Sequence, residues 1–375
     1  MTKYPSGSIT GSSPSRAGGP TGDLRFSPIV NSVRLAVFYG SDQPIQVIER
    51  PFPTTLREGE TLVEILLATI CGSDLHTRDG RRKEPVPSVL GHEAVGRIVA
   101  CGPGGTHLMP GDRVTWTSAA SCGVCAPCHD WRLPQKCMEL FKYGHSPLDD
   151  GSGLNGCYAS HVLLRRGTSI FRVSDRLSDS VVAPVNCALA TMVSATEVLP
   201  TPCRTAVVQG AGLLGLYGCA LLRSKGVSRV LVVDTEANRL SRVVAFGGEP
   251  VLASLRGCIP AGQVDAVFEV AGSSSVVPEG VESLRPGGSY IFIGMVLPGT
   301  PLALTGEAII RKCLTIRGVH NYAPRHLESA VRFLEENLDR YPWSDLVSPP
   351  HPLANIETAF DETRRRTWPR VAVLP

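Results

Sequence analysis

Four cysteines within sixteen residues, Cys122, Cys125, Cys128 and Cys137, constrain this chain more than any other feature. Their spacing, C-x2-C-x2-C-x8-C, lets one short loop wrap a single ion and present four sulfurs tetrahedrally. Zinc favours that geometry, and a closed shell of four thiolates leaves no coordination position for a reactant. The loop reads as a structural staple.

At 375 residues the chain is long enough for two domains and a sizeable core. Its 43% hydrophobic and 19% charged residues describe a soluble globular protein. A formal charge of +3 gives no reason to expect nucleic acid or an acidic membrane as partner. No apolar run is long enough to span a bilayer. Residues 1–32 are rich in Gly, Ser, Pro and Thr without an apolar block, so they read as a disordered tail and not a secretory signal. Twelve cysteines in a large chain without an export signal fit a reduced cytoplasm better than a disulfide framework. Six of them suit metal roles; Cys101, Cys157, Cys203, Cys219, Cys258 and Cys313 are scattered and read as small buried thiols.

From Val33 to about Pro184 short runs rich in β-branched residues, such as "TLVEILLATI", "AVGRIVA" and "DRVTWT", are broken by glycine and proline turns. This predicts a β-rich unit carrying the four-cysteine loop. Near Asn186 the pattern changes. A strand over Thr205–Gln209 leads through glycines into a helix over Leu213–Lys225, then a strand over Arg229–Asp234 and a helix over about Ala237–Phe246. "VDAVFEVAG" and "SYIFIGM" continue the alternation, which predicts βαβ units and a parallel sheet. An amphipathic helix, "RHLESAVRFLEENL", and a final strand, "RVAVLP", are expected to return to the first unit.

Gly210, Gly212 and Gly215 form G-x-G-x-x-G between the first of those strands and its helix. The first glycine permits the tight turn, the second lets backbone approach a pyrophosphate, and the third lets helix and strand pack closely. The helix start offers free N–H groups and a positive dipole end to phosphate. Asp234 ends the next strand, nineteen residues after Gly215, where a carboxylate accepts from the ribose hydroxyls. Its charge repels a 2′-phosphate, so NAD is favoured over NADP; Arg239, close by, either neighbours the ribose or is an ordinary exposed arginine. Leu213 and Leu214 within the fingerprint, and Gly294 in "SYIFIGM", complete the expected cofactor contacts.

"CGSDLH" (Cys71–His76) and "GHE" (Gly91–Glu93) contribute a thiolate and an imidazole, both good zinc donors. Cys187, just before the nucleotide unit, is a possible third. Three protein ligands and one open position is the pattern of a catalytic zinc.

"CGSDLH", "GHEAVGRI", "GDRV", the four-cysteine loop, "VVQGAGLLG" and "VLVVD" follow one another as in the zinc-dependent alcohol dehydrogenases of the medium-chain dehydrogenase/reductase superfamily, which the chain resembles from Val33 to Pro375. The resemblance implies an α/β fold: a β-rich GroES-like catalytic domain, residues 33–185 and 323–375, and a doubly wound Rossmann-type NAD-binding domain, residues 186–322. It implies one structural and one catalytic zinc, the latter on Cys71, His92 and Cys187. Glu93 is implied as an alternative ligand or supporting carboxylate, Asp74 as the residue orienting His92, and Ser73 and His76 as a proton relay. Across the superfamily the third ligand is a cysteine or an acidic residue; Cys187 stands at that position here, and its neighbour Asn186 is a poorer zinc donor.

Within that superfamily, the stretch from Ala119 to Pro147 is similar to a subgroup associated with phosphonate catabolism. The implied reaction is reversible oxidation of a polar alcohol, such as a hydroxyalkylphosphonate, to an aldehyde or ketone. A polyol, cyclitol or sugar-phosphate dehydrogenase is the enzymatic alternative, and a catalytically inactive nucleotide-binding homologue the other. His320 and Asn321 in "RGVHNY" either polarise the substrate pocket or pair with backbone; Lys142, Tyr143 and His145 read as scaffold. Association into a homodimer or homotetramer is expected through Ser289–Met295 as the edge strand.

Overall fold

The computed structural model describes residues 32–375. The expected disordered tail therefore lies outside the described residues, apart from Ser32, which opens the first strand.

Alternation of buried and exposed positions builds the first lobe. Its main sheet has seven strands, six of them in the order Ile170–Arg172, Arg113–Trp116, Glu93–Cys101, Thr61–Thr69, Ala372–Leu374 and His351–Pro352. The strand His161–Leu164 also pairs with Thr61–Thr69, and a three-stranded sheet built on Ser32–Phe38 packs alongside. One register decides where chemistry can occur. Thr69 lies opposite Glu93 on one side and opposite Ala372 on the other. Cys71, His92, Glu93 and Arg370 thereby converge at one end of three neighbouring strands, although they come from three distant parts of the sequence. Val63, Ala94, Val114, Trp116 and Phe360 fill the interior behind them.

The second lobe contains six parallel strands: β1 (Thr205–Gln209), β2 (Arg229–Asp234), β3 (Glu249–Leu252), β4 (Val264–Glu269), β5 (Leu284–Phe292) and β6 (Thr315–Gly318). Their order, 3-2-1-4-5-6, is that of a doubly wound dinucleotide fold, with its switch point between β1 and β4. Near-continuous apolar strands such as β2 and β4 are what burial on both faces requires. On one face Val208, Leu216, Tyr217, Phe246 and Leu334 share a core that also takes in Leu67 and Val95 of the first lobe.

Two local expectations are corrected. The stretch Ala237–Phe246 is a short helix, Ala237–Leu240, followed by a separate 3-10 turn, Val244–Phe246. The apolar stretch Ser289–Met295 does not form the sheet edge, because β5 pairs with β4 on one side and β6 on the other. The edge belongs to β6, four residues mostly facing solvent, whose sequence is too short and polar to advertise itself. Among the described residues no helix is long and apolar enough to cross a membrane.

Candidate metal and dinucleotide sites

In the four-cysteine loop all four sulfurs lie within 4.8 Å of one another. Individual separations are 3.4 Å for Cys122–Cys137, 3.5 Å for Cys125–Cys128 and 3.8 Å for Cys125–Cys137. Four thiolates about 2.3 Å from a tetrahedral zinc stand about 3.8 Å apart, so the loop has the dimensions of a zinc site. Backbone N–H groups of Cys122 and Glu139 point at the Cys137 sulfur from 3.2 and 3.3 Å. A backbone N–H from Met138, with further help from Cys128, pulls the Cys125 thiol down to about 6. A 3-10 turn over Pro134–Lys136 leads into Cys137.

The second cluster gathers Cys71, His92, Glu93 and Cys187, whose ligand atoms also lie within 4.8 Å of one another. Cys71 precedes the helix Gly72–Arg78, and its N–H donates to Asp74 Oδ2 at 3.1 Å. Cys187 sits in a single π-helical turn, Val185–Leu189, a local widening that often marks a functional site. Its sulfur is 3.9 Å from that of Cys71, close to the edge expected of two thiolates on one zinc. Hydrogen bonding to Cys187, aided by Arg370 and His92, draws the Cys71 thiol well below its ordinary value against the effect of burial. Two thiols and an imidazole, drawn together and largely buried, are a donor set that fits zinc.

The surrounding carboxylates divide the work. Asp74 is fully buried; its Oδ2 accepts from Tyr158, and its Oδ1 stands 3.4 Å from His92 Nδ1, beyond a formed hydrogen bond. Burial opposes the charge on His92, yet Asp74 and Cys71 beside it raise its pKa well above the ordinary value. Glu93 is held by Thr69 at 2.6 Å and by Arg370 at 2.8 and 2.9 Å. Arg370 Nη2 also reaches to 3.8 Å from the Cys71 sulfur. Asn186 is turned away from the cluster: its amide donates at 3.0 Å to the carbonyls of His92 and of Trp116. His145, read from sequence as scaffold, lies with its ring centroid 5.2 Å from that of His92.

The turn after β1 carries the glycine fingerprint, and its Gly212 shares the lining of one cleft with Gly72 and Arg370 beside the cluster. Gly210 has a φ of +115°, which only glycine adopts easily, and a Cβ on Gly215 would sit 1.9 Å from the Gly210 carbonyl oxygen. A Cβ on Gly212 would meet nothing within 4 Å, so that face of the turn is open. Asp234 accepts from the N–H groups of Ala211 at 2.8 Å and Glu236 at 2.9 Å, while Arg239 approaches to 3.5 Å. Gly294 donates to Glu269 at 3.1 Å, at the ends of β4 and β5. A cleft of about 250 Å³ joins the two lobes here, lined by Gly212, Leu213 and His76 with Arg81, Arg239 and Arg366. His76 is in that cleft with a buried Nδ1 that has no partner, three residues from Ser73 on the same short helix.

Sequence reasoning did not identify Arg370, Tyr158 or Thr69. A charged residue leading directly into the buried run of "RVAVLP" was the available signal for Arg370.

Comparison with known proteins agrees with this geometry. A family model described as an alcohol dehydrogenase GroES-like domain matches residues 57–175, and one described as a zinc-binding dehydrogenase matches residues 214–336. A crystal structure of an alcohol dehydrogenase from Thermotoga maritima is 30% identical, with a TM-score of 0.84 over 92% of this chain and 99% of its own. The 5-exo-hydroxycamphor dehydrogenase of Pseudomonas putida is 28% identical, covering 77% of this chain and 84% of that protein. The sorbitol dehydrogenase of Bacillus subtilis is 25% identical over 83% of this chain and 88% of its own length. Both family models occur in the same order as the two lobes, and a 30% identical relative aligns along almost its whole length. The chain therefore belongs to the zinc-type alcohol dehydrogenases of the medium-chain dehydrogenase/reductase superfamily, oxidoreductases that act on CH–OH groups.

Proposed function

We propose that this protein catalyses the reversible, NAD-linked oxidation of a polar alcohol to an aldehyde or ketone, with hydroxyalkylphosphonates first among the substrates to be tried. The observation that carries the reading is the cluster of Cys71, His92 and Cys187, whose neighbours Gly72 and Arg370 line one cleft together with Gly212 and Leu213 of the glycine turn. When bound, zinc acidifies the substrate hydroxyl as a Lewis acid, and the nicotinamide accepts the hydride.

The residues of this chain prepare that step. Cys71, His92 and Cys187 would hold the ion, while Asp74 orients His92 from its buried position. Arg370 neutralises Glu93, which keeps that carboxylate from competing for the same position. Ser73 takes the hydroxyl proton and His76, opening on the cleft, passes it towards solvent. Burial and the charge of Arg81 keep the His76 imidazole below its ordinary pKa, so it is a neutral acceptor at physiological pH. Asp234, with both oxygens already oriented by backbone N–H groups, selects the ribose hydroxyls of NAD over a 2′-phosphate, and Arg239 leans on that same carboxylate.

The same reading takes the protein as a homodimer or homotetramer joined at β6. That strand leaves one edge unpaired, and Ile310, Val296 and Leu302 near it are 75%, 52% and 52% exposed. Light scattering measures this directly.

The functional test is NADH formation by the zinc-loaded chain with hydroxyalkylphosphonates, polyols and cyclitols, alongside Cys71→Ser. The reading requires turnover of at least one alcohol and its loss in the variant. Full activity in Cys71→Ser would end it.

A further inference from the structure

We propose that Asn186 and Tyr322 are positioning residues for the metal-ligand cluster: together they fix the backbone at Cys187 against that of His92. This rests on the reading of Cys71, His92 and Cys187 as ligands, and adds what sets the spacing between two of them.

The two ligands arrive on separate scaffolds. His92 immediately precedes the strand Glu93–Cys101, whereas Cys187 belongs to the π-helical turn Val185–Leu189. Neither element fixes its own distance to the other. A metal site tolerates ligand displacements of only about 0.2 Å, so something must bridge the two scaffolds.

One buried side chain does so. Asn186 is 0% exposed, and its Nδ2 donates at 3.0 Å to the carbonyl of His92 and at 3.0 Å to that of Trp116. Both amide N–H groups are thereby spent on the first lobe, one of them on a ligand residue 94 positions away. The amide oxygen, Oδ1, is buried without a partner among the described residues. An apolar side chain of similar size would avoid stranding that oxygen, so the worth of the amide lies in its two donors.

The backbone of the same residue is gripped from another direction. The Tyr322 hydroxyl donates to the Asn186 carbonyl and itself accepts from the Ser118 N–H at 3.2 Å. Tyr322 is buried in the same core as Val185, Ala188 and Leu189 of the π-helical turn. It follows β6 through Asn321, whose φ of +58° is left-handed. Asn186 and Tyr322 thus flank the segment that builds the second lobe, and one hydrogen bond ties its two ends together beside the cluster. Successive side chains on a helical turn diverge by about a quarter of a revolution. With Asn186 committed to the strand carbonyls, Cys187 is turned the other way, its sulfur 3.9 Å from that of Cys71. Loss of either tether frees the turn to rotate and carries that sulfur off its position.

The test uses the full, zinc-loaded chain with Tyr322→Phe, which removes one oxygen, and Asn186→Leu, which keeps the volume. Native mass spectrometry during a chelator titration counts ions per chain. In each variant one of the two ions should leave at a chelator concentration about ten-fold lower than in the parent, the value of one hydrogen bond, while the other leaves as before. The cobalt-substituted protein adds a readout that general destabilisation does not move. Its visible ligand-field bands report donor geometry, and they should shift in Tyr322→Phe at a temperature where that variant is fully folded. Unshifted bands with both ions retained as in the parent, or parallel loss of both ions, overturn the proposal. If Asn186→Leu does not fold, Tyr322→Phe decides alone. Hydrogen–deuterium exchange over Val185–Leu189 separates the two levels of inference. A parent that binds one ion only removes the reading of Cys71, His92 and Cys187 as ligands; faster exchange of the turn in the variants then still supports the tether, and unchanged exchange overturns it.

Discussion

Arg370 grips Glu93 with two hydrogen bonds, 2.8 and 2.9 Å long, in a pocket where the arginine side chain is 8% exposed and the carboxylate 0%. The two residues are 277 positions apart in the chain. A charge pair this buried contributes through what its loss leaves behind. Glu93→Ala would strand the guanidinium beside Cys71 and is expected to cost about 3–5 kcal/mol. Urea unfolding of the variant measures it, and a cost below about 1 kcal/mol would mean the site relaxes or admits water.

The last two glycines of the fingerprint should behave differently. Gly215→Ala puts a methyl group 1.9 Å from a backbone carbonyl, so β1 and its helix must move apart, and thermal stability should fall. Gly212→Ala meets no protein atom within 4 Å, so its melting temperature should be close to that of the parent while NADH affinity drops at least about ten-fold. Thermal unfolding paired with fluorescence titration of NADH distinguishes them. Equal NADH affinity for Gly212→Ala and the parent would place the pyrophosphate elsewhere.

Native mass spectrometry should find two zinc ions per chain, and Cys125→Ser should retain one. The sulfur geometry of that loop leaves no position for substrate, so the expected loss is of stability: a few kcal/mol, or roughly 5–10 °C in Tm for a chain of this size. An unaltered Tm with one ion missing would show that the loop is held by protein contacts alone.

His161, in the strand His161–Leu164, supplies a stability term that depends on pH. Burial lowers its pKa from 6.5 to about 4. The folded state favours the neutral ring, so on acidification the unfolded chain takes up the proton first. The contribution is complete above the unfolded value of 6.5, declines as pH falls and levels off below about 4. Its full size is at most about 3 kcal/mol. Urea unfolding of the parent and of His161→Gln across that range should give a difference that grows with acidity; a flat difference would show that the buried ring gains compensating contacts when charged.

Much of the plan was legible in the sequence because two signals were periodic or geometric. The βα alternation and the glycine spacing identify the parallel sheet without tertiary information, and C-x2-C-x2-C-x8-C specifies a loop by itself. Strand order is another matter. Periodicity shows that Ser289–Met295 is apolar but carries no record of its neighbours, so the four-residue β6 took the edge unannounced. Arg370 escaped for a related reason: it grips a residue far away in sequence, through a register that only the folded sheet creates. Asn186 shows the converse, since its amide ties two backbone carbonyls and its neighbour Cys187 faces the cluster.

The pairing of Ala372–Leu374 with Thr61–Thr69 has a consequence for biosynthesis. A ribosome delivers Glu93 and Cys71 long before Arg370, with the whole dinucleotide lobe translated in between. Until the later strand slots in, the nascent carboxylate and thiol have no guanidinium to offset them, and the central sheet of the first lobe is split where that strand belongs. Completion of the buried Arg370–Glu93 pair beside Cys71 is therefore among the last events of maturation, after the intervening lobe has had time to fold as a unit.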